Sequence, residues 1–382
     1  MKKFFVKLLC MFIPSKTKRK KYRNILLHIS LGDLLSLYRF NKSNIRPNTV
    51  LLVETNEVHG EVIGGYLKYF QNMGFYIDIL VNHRLYKENP FCRLDMSDIR
   101  IYTSDRELLK YFFSSSALKK YKYMVLMTSA GYFLWENNQY SGILNVYPQL
   151  RKLNNLYVVE HDLRDVRRFS EENFTEEQKL LTLGHFNEGI FACPILFGNI
   201  NITPKNKTTT FITVGGIDKA RKNHEKLMEA VEKLANDNLE YKVIIVGNGE
   251  LDSLPENIRN YVEITGRLNF PDMFSKMEYA DFFLPLLDEN NPQHECYIKT
   301  KVTGSAQLIY AFAKVPVIHE KFAKFYGFNA DNSVVYSDLY SAMKHAILMK
   351  NDDYEQRKNN LLKLSSSLVQ ETQKNLNRIM KG

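Results

Sequence analysis

Apolar positions along the chain fall into two kinds of run. Thr49–Glu54 (TVLLVE), Phe75–Val81 (FYIDILV), Tyr123–Met127 (YMVLM) and Leu156–Glu160 (LYVVE) are short, nearly unbroken and rich in β-branched residues, as buried strands are. Between the first two, the polar loop Thr55–Glu61 leads into a helical stretch, Val62–Met73, closed by Gly74. This strand–loop–helix–strand unit predicts the start of a doubly wound parallel sheet. The polar stretch Gly198–Thr210 then interrupts the pattern, which resumes with Phe211–Val214 and a helix marked by Leu227, Ala230, Val231 and Leu234. Strands follow at Lys242–Val246, Val262–Thr265, Phe282–Leu287 and Val315–Ile318, with helices from Asn269 and Pro271 to about Met277 and over Ala306–Ala313. The pattern predicts an α/β chain of two domains, 46–195 and 211–348, joined by a linker over 196–210. Tyr354 to Met380 is polar and helical in propensity, with Leu361, Leu362, Leu364 and Leu368 as a modest apolar set, so 349–382 reads as a C-terminal helical tail.

Residues 1–45 stand apart. Phe4–Ile13 is apolar except for Lys7, and Pro14 and the run KTKRKKYR follow. An apolar stretch of this length is too short to cross a bilayer, which takes about 20 residues, and it lacks the small-residue cleavage site of a signal peptide. Residues 1–23 hold nine Lys/Arg and no acid, nearly the whole of the net charge of +10. An apolar face beside a basic cluster suits an anionic membrane surface, each cation contributing about 1 kcal/mol; a disordered basic tail is the alternative. The helical stretch Leu26–Leu37 either docks on the body or extends the membrane contact. The body is close to neutral, which argues against a nucleic-acid partner. The four cysteines, Cys10, Cys92, Cys193 and Cys296, show no paired spacing, so neither zinc nor a disulfide framework is indicated and a reducing compartment fits.

Ligands of doubly wound sheets bind at the loops that follow strand C-termini. In FITVGGIDKARKNH (211–224), Gly215 and Gly216 follow a strand, and Lys219, Arg221 and Lys222 precede a helix. Cations beside the free N–H groups of a helix start favour an anion, most naturally phosphate, although an ordinary βα turn with solvated cations has the same composition. Thr303-Gly304-Ser305 makes a second anion-ready helix start, of a kind also common without a ligand. Two other strands end in Gly247-Asn248-Gly249 and Gly266-Arg267. In the first domain, His59 and Glu61 lie in the first such loop, with Gly64 and Gly65 in the helix above it allowing close packing. Thr128–Gly131 is a small loop, and His161 follows its strand directly, as either a ligand-facing residue or a structural hydrogen bonder. Arg164, Arg167 and Arg168 come next on a helical, mostly solvated stretch, and Asp288–Lys301 reads as a polar, mobile loop.

Two such halves, a linker and a C-terminal helix resemble the GT-B glycosyltransferases, in detail the retaining bacterial group that builds lipopolysaccharide, capsule and related glycans. VGGIDKARKNHEKLMEAVEKL, VIIVGNGE, EITGRL, VVEHDL and KVTGSAQLIYAFAKVPVI carry the likeness, which is firm over about 205–320 and looser over 46–195. It implies two Rossmann-like domains facing across a cleft. Arg221 and Lys222 would hold the donor diphosphate, with Gly247, Gly266 and Arg267 in the following strand end and base-contacting loop. Gly304 and Pro316 align with the family's glycine and proline, and Gly215, Gly216, Thr303 and Ser305 complete the donor set. His161 would meet the transferred sugar as the catalytic-site residue, and the acceptor would enter near His59 and Glu61. The donor is then a nucleotide-diphosphate sugar, the acceptor a glycan or lipid-linked glycan, and the location the cytoplasmic face of the plasma membrane. No Asp-x-Asp triplet occurs, so metal-independent transfer without a cofactor is expected. The family's two glutamates spaced eight apart fall on Lys301 and Ile309, so a ribose contact must come from elsewhere, with Gln307 and the Asp288–Glu295 loop as substitutes. Other readings are a nucleotide-sugar-binding scaffold with impaired catalysis, a GT-B-like sugar epimerase and a glycerol-phosphate polymer transferase.

Overall fold

The computed structural model describes residues 6–7, 10–28, 30–128, 132–134, 139–164, 179–218, 220–251 and 254–381. The first sheet contains β1 (Thr49–Glu54), β2 (Tyr76–Asn82), β3 (Arg100–Ser104), β4 (Tyr123–Leu126), β7 (Leu156–Glu160), β8 (Leu180–Thr182) and β9 (Ile190–Phe191), all parallel, in the order β3-β2-β1-β4-β7-β8-β9. A separate antiparallel pair, β5 (Tyr132–Leu134) and β6 (Gln139–Ser141), sits between β4 and β7 in the chain. The second sheet, also parallel, runs β12 (Val262–Gly266), β11 (Tyr241–Val246), β10 (Thr209–Val214), β13 (Phe282–Phe283), β14 (Val315–His319) and β15 (Val334–Tyr336). Both orders reverse beside their first strand, between β1 and β4 and between β10 and β13. Those are the switch points where loops diverge and leave room for a ligand. The unbroken apolar runs of β1 and β10 follow from burial on both faces.

Several elements differ from the sequence pattern. The strand expected over Phe282–Leu287 stops after Phe283: Pro285 has no N–H for a ladder, and Leu286 turns left-handed (φ 55°). The expected mobile loop Asp288–Lys301 contains a 3-10 helix, Pro292–Ile298, anchored by buried His294 and Tyr297. The stretch Leu26–Leu37 is divided, because Ser30 caps a new helix, Leu31–Lys42, by accepting from Asp33 N (3.0 Å) after the Lys16–His28 helix has ended. Residues 165–178, which include Arg167 and Arg168, and Lys219 lie outside the described residues.

The Leu31–Lys42 helix docks on the first sheet through Asp33, Ser36 and Phe40. Asp33 takes His83 Nδ1 and Thr103 Oγ1 (2.8 Å each), and Ser36 Oγ accepts from Thr103 N (2.8 Å). Leu31, Leu35 and Tyr38, at i, i+4 and i+7, face outward and are exposed, as are Met11 and Phe12. The C-terminal helix, Asn351–Lys381, spans both halves. Near its start Tyr354 donates to Asp281 O (3.1 Å) and Lys358 to Thr203 O (2.9 Å). Towards its end Thr372 accepts from Cys193 N (2.9 Å), Asn375 donates to Phe191 O (2.9 Å) and Tyr157 donates to Ile379 O (2.8 Å). No described helix is long and apolar enough to cross a membrane.

Candidate active site

The two switch points face one another across a cleft. On the second-domain side, β10 runs into Gly215 and the turn that carries Lys222. Lys222 is buried, and its ammonium donates to Thr213 Oγ1 (3.2 Å), Pro285 O (3.0 Å) and Ser305 Oγ (3.3 Å), all neutral acceptors. With no carboxylate in that set, burial lowers its pKa to about 7. Ser305 is in the first turn of the helix Gly304–Phe312, whose N-cap is Thr303, so the cation lies at a helix N-terminus. A Cβ on Gly304 would meet nothing within 4 Å, so the space over the helix start is open; one on Gly247 would lie 1.8 Å from Gly215 O, so Gly247 is needed for two loops to pack.

Arg221 is exposed and only loosely paired with Asp218 (3.6 Å). Asn223 caps the helix His224–Asn236 and donates to Asp288 Oδ2 (2.8 Å), tying the loop after β13 to that after β10. A cavity of about 460 Å³ opens beside this tie, lined by Ile217, Asp218, Lys222, Glu250 and Asn290 among others. Buried His224 also lines it, its pKa lowered to about 4 by burial and by the charge of Lys222. Gln307 is buried, and with its amide nitrogen turned to Thr303 O and Gly304 O (3.2 and 3.1 Å) it is occupied within its own helix start. Ile309 is in the apolar core.

On the first-domain side, His161 Nε2 lies 3.2 Å from Met127 O and 3.4 Å from Thr128 Oγ1. A ring nitrogen beside a carbonyl donates, so the neutral ring keeps its proton on Nε2 and has a lone pair on Nδ1. Burial, then the charge of His59 and that of Lys301, hold its pKa well below the usual histidine value. The His59 ring is 4.4 Å away, and its Nδ1 is 3.4 Å from Glu61 Oε1. Enclosure works against the charged form of His59, but the bond to Glu61 and the charges of Glu61 and Glu54 outweigh it, raising the pKa; the same contact lowers that of Glu61 against its own burial.

Contacts between the two domains among the described residues include Phe270 N to Glu88 O (3.0 Å) and Arg93 to Glu278 (2.7 Å), and others lie nearer the site. Leu163 N donates to Thr300 O (2.8 Å), Lys301 lies 3.9 Å from Asp162, and Arg267 bonds Glu88 (2.6 Å) and Glu57 O (3.3 Å). Arg267 thus reaches across to the first domain in this structure, while Gly266 ends β12 in a left-handed turn (φ 69°) and Gly216 lies beside Asn248 O (3.7 Å). Sequence patterns did not single out Glu54 and Thr128. Glu54 ends β1 fully buried, and its carboxylate takes Asn56 N (2.8 Å), Asn56 Nδ2 (3.0 Å) and Thr128 Oγ1 (2.7 Å). An acid closing an otherwise apolar strand, as in TVLLVE, was the available signal.

Residues 208–318 match the family described as Glycosyl transferases group 1. The matched stretch runs from β10 into β14. The fold as a whole is GT-B, with two facing Rossmann-like domains. It is similar to a glycosyltransferase from Rickettsia africae ESF-5 at 12% identity and TM-score 0.52, over 88% of this chain and 100% of that one. It is also similar to T4 phage BGT in complex with UDP and Mn2+ at 13% identity and TM-score 0.51, over 87% and 99%. No curated protein sequence matches. The matched residues include Lys222, Gly304 and Ser305 on the second-domain side of the cleft, and His161, His59 and Glu54 face them from outside the match.

Proposed function

We propose that the chain transfers a sugar from a nucleotide-diphosphate donor to a glycan or lipid-linked acceptor in the synthesis of a bacterial surface polysaccharide. The observation that carries this reading is the facing of the two switch points. A cation at a helix start on one side, Lys222 beside Ser305, opposes a cluster of hydrogen-bonding side chains on the other, His161, His59 and Glu61.

As the sugar–phosphate bond breaks, negative charge grows on the departing diphosphate. Lys222, the backbone N–H of Gly304 at the helix start, and Arg221, whose exposed pairing with Asp218 is worth little, stabilise that charge. Gly215, Gly216, Gly247, Gly266 and Arg267 complete the donor set. His161, neutral and with no partner at Nδ1 among the described residues, accepts from a hydroxyl of the sugar, and the acceptor enters past His59 and Glu61. We further propose retention of configuration, without a metal. T4 phage BGT was solved with UDP and Mn2+, so assays compare EDTA with Mn2+.

The basic N-terminus, with Met11, Phe12, Leu31, Leu35 and Tyr38 exposed beside it, holds the enzyme on the anionic cytoplasmic face of a membrane.

The test is thermal stabilisation by UDP, GDP, CMP and their sugars, in the wild type and in Arg221→Ala/Lys222→Ala. Ligand at 100 times its dissociation constant adds about 2.7 kcal/mol. One nucleotide sugar is expected to stabilise the wild type and not the variant; no stabilisation by any of them overturns the reading. The pairing of Lys301 with Asp162, and Ile309 in the core, favour as a second reading a nucleotide-sugar-binding scaffold, which would bind the donor and never turn it over.

A further inference from the structure

We infer that Lys301 is a specificity-determining residue and that the transferred sugar carries a carboxylate, as a uronic acid does, for the Lys301 ammonium to hold. This rests on reading the cleft between His161 and the Gly304–Phe312 helix start as the donor site. Lys301 stands between those two sides. It lies shortly before Thr303, the N-cap of that helix, and its backbone bridges Asp162, the residue after His161, across the domains. Its main chain is fixed from both halves: Lys301 N donates to Cys296 O (2.8 Å), and the neighbouring Thr300 O accepts from Leu163 N (2.8 Å). Its ammonium is not committed in the same way. Asp162 Oδ2 is 3.9 Å away, beyond hydrogen-bond distance, and no other carboxylate pairs with Lys301 among the described residues. That same oxygen already accepts from Arg164 Nη2 (2.6 Å) and Nε (3.2 Å).

The surroundings of this ammonium are basic. It lies over the Tyr297 ring, 5.8 Å from the centroid, and the charges of Arg164 and Arg221 reach the same tyrosine. Against them stand Asp162 and Asp218, the latter only loosely paired with Arg221. On the histidine side the charge of Lys301 is felt by both His59 and His161. The other carboxylates there have partners of their own: Glu61 faces His59 (3.4 Å), and Glu54 accepts from Asn56 (2.8 Å) and Thr128 (2.7 Å). In the proposed site the diphosphate is met by Lys222 and Arg221, which leaves Lys301 as a further cation, on the side where His161 meets the sugar. Its side chain is 36% exposed and so open to a ligand. A neutral sugar would offer this ammonium only hydroxyls. A carboxylate on the sugar would offer a charge-assisted hydrogen bond, the stronger kind.

The test measures dissociation constants on the full chain for matched donors: UDP-glucuronate, UDP-glucose and UDP, and GDP-mannuronate, GDP-mannose and GDP. In the wild type one uronate is expected to bind roughly tenfold or more tighter than its neutral counterpart, the size of one hydrogen bond to a charged group. Lys301→Met, which keeps the stem and removes the charge, should bind the two sugars alike and leave the affinity for the bare diphosphate unchanged. Lys301→Arg should retain the preference. A wild type that binds the nucleotide but prefers the neutral sugar, or does not discriminate, overturns the inference, and this comparison needs no variant to fold. A preference that survives in Lys301→Met, or an equal loss of UDP or GDP and of the uronate, also overturns it, the second by showing that Lys301 serves the diphosphate. The readout is binding, so a chain that never turns the donor over is tested equally. Failure to bind any of the six ligands is a different result: it overturns the proposed function and takes this inference with it.

Discussion

If Lys222 holds the donor diphosphate, donor affinity must depend on pH, and the size of the effect follows from burial. With its pKa lowered to about 7, Lys222 in the free protein is charged in about nine-tenths of molecules at pH 6 and about one-tenth at pH 8. A bound diphosphate restores the charge, so the apparent dissociation constant scales inversely with the charged fraction and weakens about tenfold between pH 6 and 8, about 1.4 kcal/mol. A nucleotide sugar is the right ligand, because its doubly esterified diphosphate does not titrate in this range. Isothermal calorimetry at both pH values, in two buffers of different ionisation enthalpy, should show close to one proton taken up at pH 8. Lys222→Met should bind weakly and without this slope. Equal affinity at pH 6 and 8 in the wild type, or the same slope in Lys222→Met, refutes the argument. Stability runs the other way. Between about pH 7 and the ordinary lysine value near 10.5 the unfolded chain holds the proton that the folded chain lacks, so the contribution of this group to stability rises with pH.

Other outcomes are equally concrete. A Cβ at Gly65 would lie 2.1 Å from Pro194 O, whereas at Gly64 the nearest atom is 3.4 Å away; Gly65→Ala should cost about 3 kcal/mol or more in urea unfolding and Gly64→Ala about 1 kcal/mol. Comparable losses would show that the helix shifts to absorb the methyl. Binding to vesicles rich in phosphatidylglycerol should fall steeply with salt, and be lost in a chain lacking residues 1–23 or carrying Leu31→Asp with Leu35→Asp; sedimentation unchanged by these variants removes the membrane from the proposal. Glu88→Ala releases Arg267 from its 2.6 Å pairing and should tighten nucleoside-diphosphate binding by a few fold, within the roughly 1 kcal/mol range of an exposed ion pair; no change takes Arg267 out of the donor set.

The strands were legible because burial on both faces of a parallel sheet leaves an unbroken apolar run, as in TVLLVE and KVIIV. The short strands β8, β9 and β15 were not, since two or three residues carry no period. Asp288–Lys301 read as loop from its polarity, yet His294 and Tyr297 are turned inward and fix it as a 3-10 helix. Glu54 gave only a weak signal, because its meaning depends on Thr128 and His161, 74 and 107 residues later in the chain, meeting it at one corner of the sheet.

The sequence by itself determined the two α/β halves, the position of candidate residues at strand ends and helix starts, and the basic N-terminus, because these depend on local periodicity and on charge counted along the chain. Only the tertiary structure decided that Lys222 is buried among neutral acceptors while its neighbour Arg221 is exposed, that Arg267 and Lys301 reach carboxylates of the opposite domain, and that Glu54 adjoins His161 through a threonine. Desolvation and pairing depend on what packs around a side chain, and in this fold the surroundings of each of these groups come from elements far apart in sequence.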